Sequence, residues 1–199
     1  MSKDAKTKYA IHLYLKKRWS PRAFSDRTVA REKLQRLVEA ARWSPSSSNE
    51  QPWYFFIGEK GDETYEKIFS TLVEFNQLWC KTAPVLGMAF GRKVREKGGG
   101  EYVHYQYDVG QSIAHLTFQA MHEDLYVHQM GGFSAEKARE LFGIPDDYEA
   151  LTTFVIGFIG DPGMLHPRMQ KQELAERERK ELESFVFEGK WGKTVHWLK

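Results

Sequence analysis

Apolar residues recur at helical spacing in two long stretches of this chain and bunch into short runs in several others. Leu34, Leu37, Val38 and Ala41 fall at i, i+3, i+4 and i+7. That spacing is one face of a helix, expected to be capped by Thr28 and to run through Trp43. Val109, Ile113, Leu116 and Ala120 form the stripe of the strongest helix, His104 to Glu123. Gly110, Ser112 and Ala114 keep part of its surface small, which lets another helix approach. Weaker patterns predict helices over 8–17, where Tyr9, Leu13 and Leu15 give partial periodicity, and over 62–79. Another is expected after Ser134, a cap, through Phe142, with Glu136 favouring the helix dipole. The runs Trp53 to Ile57, Pro84 to Phe90 and Leu151 to Ile159 read as strands, and Leu125 to Gln129 as a short one. Residues 91–101, with four basic residues and a triple glycine, read as a mobile loop.

After Pro167 the character changes. Residues 170–183 are almost all charged, with Leu174, Ala175 and Leu182 apolar, and predict a helix with little to bury. Phe185, Val186 and Phe187 then precede Gly189 as a strand-like tail, of the kind that wraps around its own domain or a partner subunit. Helices and strands alternate unevenly. The expected fold is therefore α+β, a central mixed, mostly antiparallel sheet flanked by helices, not a regular doubly wound one. The length of 199 residues suits one domain, 1–199, with 168–199 as a C-terminal arm.

Composition narrows the function classes. A net charge of +2 gives no large single-sign field, which argues against a general nucleic-acid or membrane role. The lone Cys80 excludes an internal disulfide and a thiolate metal cage. No apolar run follows Met1, and no stretch approaches the ~18–20 apolar residues of a membrane span. A soluble, cytoplasmic protein is expected.

Two short segments carry candidate chemistry. Arg18-Trp19-Ser20-Pro21-Arg22-Ala23-Phe24 sets two guanidiniums and a hydroxyl at every second residue, on one side of an extended chain. Arginine forks suit phosphate and other anionic oxygens. Ser44-Pro45-Ser46-Ser47-Ser48-Asn49-Glu50-Gln51-Pro52-Trp53 offers many hydrogen-bonding groups with little bulk, as a rigid loop against a planar polar ligand would. In this order the two suggest a phosphorylated heteroaromatic cofactor. Other apparent motifs fail. Gly192-Lys193-Thr194 lacks the upstream glycine of a P-loop, because Phe187 stands there. No G-x-G-x-x-G follows a strand, so a dinucleotide-binding Rossmann unit is absent. His115 and His122 miss the zinc-protease spacing, and no metal site is expected.

With these residues in view, the chain resembles the FMN-dependent nitroreductase family over nearly its whole length. Arg18, Ser20, Arg22 and Phe24 match the R-x-S-x-R-x-F pattern, and Ser44 to Trp53 the second signature. Met130-Gly131-Gly132-Phe133, Gly143-Ile144-Pro145 and Gly157-Phe158-Ile159-Gly160 support the match. The resemblance implies a homodimer with two FMN sites at the subunit interface. One subunit would supply Arg18, Ser20 and Arg22, with a backbone contact at Trp19, and the other Pro45, Ser46, Ser47 and Asn49. Asn76 would touch the flavin, and the backbone at Gly131 and Gly132 would face its N5 edge. One of Arg177, Arg179 and Lys180 would close on the phosphate, and the C-terminal strand would be exchanged with the partner. His104, Tyr105, Tyr107 and Asp108 would line the substrate pocket, at the start of the long helix. The implied activity is an FMN oxidoreductase that takes hydride from NAD(P)H, as a transient substrate, and passes it to a nitroaromatic, quinone or similar acceptor by a ping-pong mechanism. Since the cofactor supplies the hard chemistry, no catalytic side chain is assigned. Same-fold enone reduction, dehalogenation and flavin cleavage stay open, as does a non-catalytic FMN-binding or storage protein. Trp19, Trp79 and Asp124 depart from the pattern, the first two where relatives often carry a basic residue and the third where glycine is common.

Overall fold

The computed structural model describes residues 3–198, so the expected domain's outermost residues, 1, 2 and 199, lie outside the described ones. Four strands form the sheet: β1 (Trp53–Glu59), β2 (Val85–Arg92), β3 (Tyr126–Met130) and β4 (Tyr148–Gly157). Their spatial order is β1-β2-β4-β3. Every pairing is antiparallel, so the expected mixed sheet is corrected. The cause is that β4 lies between β2 and β3 and runs antiparallel to both, so those two strands, which share one direction, never pair with each other. Central β2 is buried on both faces, as its unbroken apolar run requires.

Two helical layers cover the sheet. On one face lie α2 (Arg31–Arg42) and α5 (Tyr105–His122), whose Leu37, Ala41, Val109, Ile113, Leu116 and Ala120 pack on Val85, Ala89, Phe154 and Ile156. On the other lie α3 (Glu63–Thr71), α4 (Glu74–Cys80) and α6 (Ala135–Phe142), with Ile68, Trp79 and Ala138 over Leu86, Met88 and Val155. Gly87 lets the two central strands meet: a Cβ there would fall 2.2 Å from the buried Phe154 ring.

The remaining helices are α1 (Leu13–Lys17) and α7 (Pro167–Leu174). The helix expected over 8–17 begins only at Leu13, where His12 Nδ1 accepts from the Tyr14 amide. Tyr9 and Ile11 are about half exposed and give an earlier turn nothing to pack on. Thr28 is not the cap of α2. Val29 is buried and pulls the chain inward, and Ala30 precedes the helix without a side-chain bond. The segment 62–79 breaks at Leu72 and Val73, both extended, because Leu72 bridges Phe133 and the Val73 amide donates to Gly132 O at 3.1 Å. Ser134 does cap α6, accepting from the Lys137 amide at 3.1 Å.

The loop over 91–101 closes as a small hairpin, with Val94 bridging Glu101 and Gly98, Gly99 and Gly100 all at positive φ. Asp124 adopts φ 59°, so the left-handed turn kept by glycine elsewhere is made here by Asp. In the charged stretch 170–183 the helix stops at Leu174, and Ala175 onward runs extended against the N-terminal arm. There Arg177 donates to Lys3 O and Lys16 O, and Lys6 pairs with Glu176 at 2.7 Å. The tail pairs with itself through the Phe187–Thr194 bridge and adds no strand to the sheet among the described residues. Among the described residues no helix is long and apolar enough to cross a membrane.

Candidate functional site

The arginine segment leaves α1 with Arg18, whose amide donates to Tyr14 O at 2.8 Å. Its downstream half is zipped to the extension of β4: Phe24 bridges Ile159, and the Gly160 amide donates to Ala23 O at 2.7 Å. His128 of β3 holds the middle. Its Nδ1 lies 2.7 Å from Pro21 O. A carbonyl only accepts, so that nitrogen carries the hydrogen. Burial, reinforced by the nearby Arg22 charge, lowers the imidazole to about 4, so His128 is neutral at physiological pH.

Three guanidiniums converge at this end of the fold. Burial depresses the Arg18 pKa, and the charges of Arg177 and Arg179 depress it further. At Arg177 burial and Arg179 act the same way, with Asp4 opposing. Arg22 is half-buried, and its Nε is buried without an acceptor among the described residues. A buried donor without an acceptor is costly, and like charges gathered together are too. Both are relieved by an anion with several oxygens, so the residues present fit the phosphate end of FMN. Ser20 is exposed beside them, and Trp19 carries the Lys3 ammonium 4.4 Å above its ring. Lys180 is exposed and shows no such convergence. Arg18 also rims an open cleft of about 550 Å³ with Leu15, His115, Phe118, Met121 and Gln129.

The hydroxyl segment sits at the other end of α5. Ser44 is buried, with Oγ 2.7 Å from His115 Nδ1. Ser46 Oγ accepts from the Gln51 amide at 3.0 Å. Ser48, Asn49 and Gln51 all have left-handed backbones, with φ of 54°, 57° and 47°. Two buried side chains hold that strained turn. Asp108, 1% exposed, accepts from the Ser47 amide at 3.2 Å and from the Tyr102 hydroxyl. The Tyr102 hydroxyl also lies 3.1 Å from Ser47 O. Burial and then Asp108 push the Tyr102 phenol up to about 12. Glu50 anchors the loop's far side to Arg92 and to the Glu96 amide at 3.0 Å. Glu50 lies within the second signature, but sequence patterns carry no signal for Tyr102 or Arg92, since an isolated Tyr or Arg shows no spacing.

Pro45, Ser46 and Ser47 share a cleft of about 340 Å³ with His104, Tyr107, Asp108 and Gln111. The structure therefore brings three of the four expected pocket residues to the hydroxyl loop. Tyr105 is the exception. Its ring turns over Gly91, and its hydroxyl donates to Glu149 in a separate cleft. The reason is helical geometry: Tyr105 and Tyr107, two residues apart, point to opposite sides of α5, and Tyr105 stands over the sheet end, where Gly91 leaves room.

Asn76 is 9% exposed, donates from Nδ2 to Gly132 O at 3.0 Å and accepts from Trp79 Nε1 at 3.3 Å. Its amide thus orients the turn after β3. Gly132 must lack a side chain here, since a Cβ would lie 2.8 Å from Asn76 Nδ2. Gly131 is exposed, and a Cβ on it would meet nothing within 4 Å, so that backbone edge is open.

The profile of the Nitroreductase family matches residues 15–158. The chain belongs to that family. Its members are FMN-dependent, NAD(P)H-using oxidoreductases, and the protein is an enzyme of this kind. A solved oxidoreductase containing FMN is 29% identical, with a TM-score of 0.92 over 98% of this chain and 99% of that one. A 15.4 kDa protein of Mycolicibacterium smegmatis without a stated activity is 27% identical over 146 residues, 69% of this chain and 97% of its own. A protein of Archaeoglobus fulgidus, provisionally named an NADH dehydrogenase/NAD(P)H nitroreductase, is 24% identical over 148 residues, 72% of this chain and 82% of its own.

Proposed function

We propose that the protein reduces nitroaromatic, quinone or similar acceptors at the expense of NAD(P)H, by a ping-pong mechanism, as a cytoplasmic homodimer with FMN between its subunits. Bound FMN supplies the hydride chemistry that joins reductant to acceptor. The observation that carries the reading is the convergence of Arg18, Arg177 and Arg179, with the acceptorless Arg22 Nε further along the same segment. These residues bind and orient the phosphate. The open backbone at Gly131, aimed by Asn76 through Gly132, would offer its N–H to the N5 edge of bound flavin. Pro45, Ser46, Ser47 and Asn49 form the opposing wall, where His104, Tyr107 and Asp108 bound the space for reductant and acceptor in turn.

A second copy fits the spacing of these parts. Asp108 and Thr117 stand about 14 Å apart along α5 at 1.5 Å per residue. Pro45 to Ser47 meet the first and the Arg18 cleft the second, while Ser44 reaches the His115 of that cleft, so the tip of the loop and the arginine segment lie toward opposite ends of α5. Leu13 and Leu15 of α1 and Phe118 of α5 are exposed around the Arg18 cleft, an apolar strip suited to a partner. In the proposal 168–199 serves as an arm of a single domain, its tail crossing to that partner. The single buried Cys80 suits a reducing compartment. Replacing Arg18 and Arg22 together by Ala tests the phosphate assignment: purified protein should fold yet emerge largely free of FMN. Unchanged FMN occupancy would refute it.

A further inference from the structure

We infer that Glu173 is a positioning residue for the anion end of the site, a carboxylate from the C-terminal helix that fixes the backbone of the arginine segment. The inference rests on reading the arginine cluster as the phosphate site. Glu173 is 2% exposed and lies one residue before the end of α7. Both its oxygens accept from the Arg22 amide at 3.0 Å, and Oε1 also accepts from the Ala23 amide at 3.0 Å. Among the described residues no Lys, Arg or His nitrogen lies within ion-pair distance of this carboxylate. Its partners are two backbone N–H groups contributed from 150 residues upstream.

Those two amides have nothing else to bond. Downstream of Ala23 the segment pairs with the extension of β4, but among the described residues the chain at 18–22 makes no backbone pairing with a strand. Pro21 offers no N–H, and its carbonyl is taken by His128. Ala23 is fully buried, so water cannot replace the lost acceptor. Glu173 thereby fixes the direction in which the Arg22 side chain leaves the backbone. The same residue fixes the exit of α7. Ala175 turns extended directly after it, and Arg177 and Arg179 follow on that extended chain toward Arg18. One carboxylate thus sets both halves of a cluster whose members repel one another until an anion arrives.

A glutamine at 173 keeps the shape but offers one acceptor oxygen, and presents an NH₂ group to a backbone N–H. The test compares FMN with riboflavin, which lacks the phosphate, by flavin fluorescence titration of the full-length apoprotein. Glu173→Gln should weaken FMN binding about tenfold while riboflavin affinity changes less than about twofold. Glu176→Gln, which removes only an exposed ion pair to Lys6, should leave both unchanged. Equal losses for FMN and riboflavin would reduce Glu173 to a general structural role and overturn the inference, as would unaltered FMN affinity. Wild-type protein that binds riboflavin as tightly as FMN would instead remove the phosphate reading itself. A measurement on wild type stands apart from variant folding. Exchange of the Arg22 and Ala23 amides should be slow and slow further with FMN but not riboflavin; rapid exchange in the FMN complex would contradict the clamp.

Discussion

Asp108→Ala removes the main restraint on the hydroxyl loop, and its cost can be worked from the contacts. The loop carries Ser48, Asn49 and Gln51 at positive φ, at about 1 kcal/mol for each such residue. Those conformations persist because neighbouring bonds over-determine them. Asp108 supplies two, to the Ser47 amide and the Tyr102 hydroxyl, in a site 1% exposed. Truncation removes the Ser47 N–H bond to the carboxylate, at about 1.5–3 kcal/mol for a hydrogen bond to a charged group. The Tyr102 hydroxyl keeps Ser47 O at 3.1 Å as an alternative acceptor, so its loss is partial. The expected total is about 2–4 kcal/mol, or a fall of roughly 5–15 °C in Tm at this chain length. Asp108→Asn, which retains one acceptor, should lose about half as much. Thermal unfolding followed by circular dichroism measures both. Limited proteolysis should also show new cleavage between Ser44 and Gln51 in the Ala variant. A Tm within about 2 °C of wild type, with no new cleavage, would refute the claim that Asp108 holds the loop.

Two further outcomes follow from single residues. His128 is neutral in the fold down to about pH 4, while in the unfolded chain it takes up a proton near pH 6.5. Between those values the unfolded state binds more protons, so His128 costs stability as pH falls and costs nothing above about 6.5. At about 1.4 kcal/mol per pH unit the gap is worth about 3 kcal/mol. Urea unfolding at pH 7 and pH 4 should therefore show wild type losing more than His128→Gln by about that amount, and parallel losses would contradict the assignment. Gly87→Ala forces a methyl into the Phe154 ring at 2.2 Å, in a core with no route to solvent. Overpacking of this kind costs about 1–3 kcal/mol, and an unchanged Tm would show that the strands can part locally.

Helix periodicity was legible where a stripe found a core. Val109, Ile113, Leu116 and Ala120 are all buried along α5, as their spacing requires. It misled where tertiary bonds intervened: Leu72 and Val73 left the helix because the turn at Gly132 and Phe133 offered them backbone partners. The charged stretch after Leu174 has helical composition but no apolar face to bury, and so leaves the helix and runs along the N-terminal arm. At the candidate site, the segments carrying Arg18 to Arg22 and Ser44 to Asn49 stood out because several groups of one chemistry recur within a few residues. The residues that hold them did not. Glu173, His128, Tyr102 and Asp108 act across 150, 107, 55 and 61 positions of sequence, and no local pattern encodes a partner so distant.

The central claim, an FMN enzyme reduced by nicotinamide, is met most directly by an anaerobic spectrum. The purified protein is scanned in the visible, and NADH or NADPH is then added. A bound-flavin band that bleaches on a turnover timescale, and returns when a quinone or nitroaromatic is supplied, is the predicted result. Flavin that stays oxidised with either nucleotide, or protein that neither carries nor takes up FMN, would contradict it.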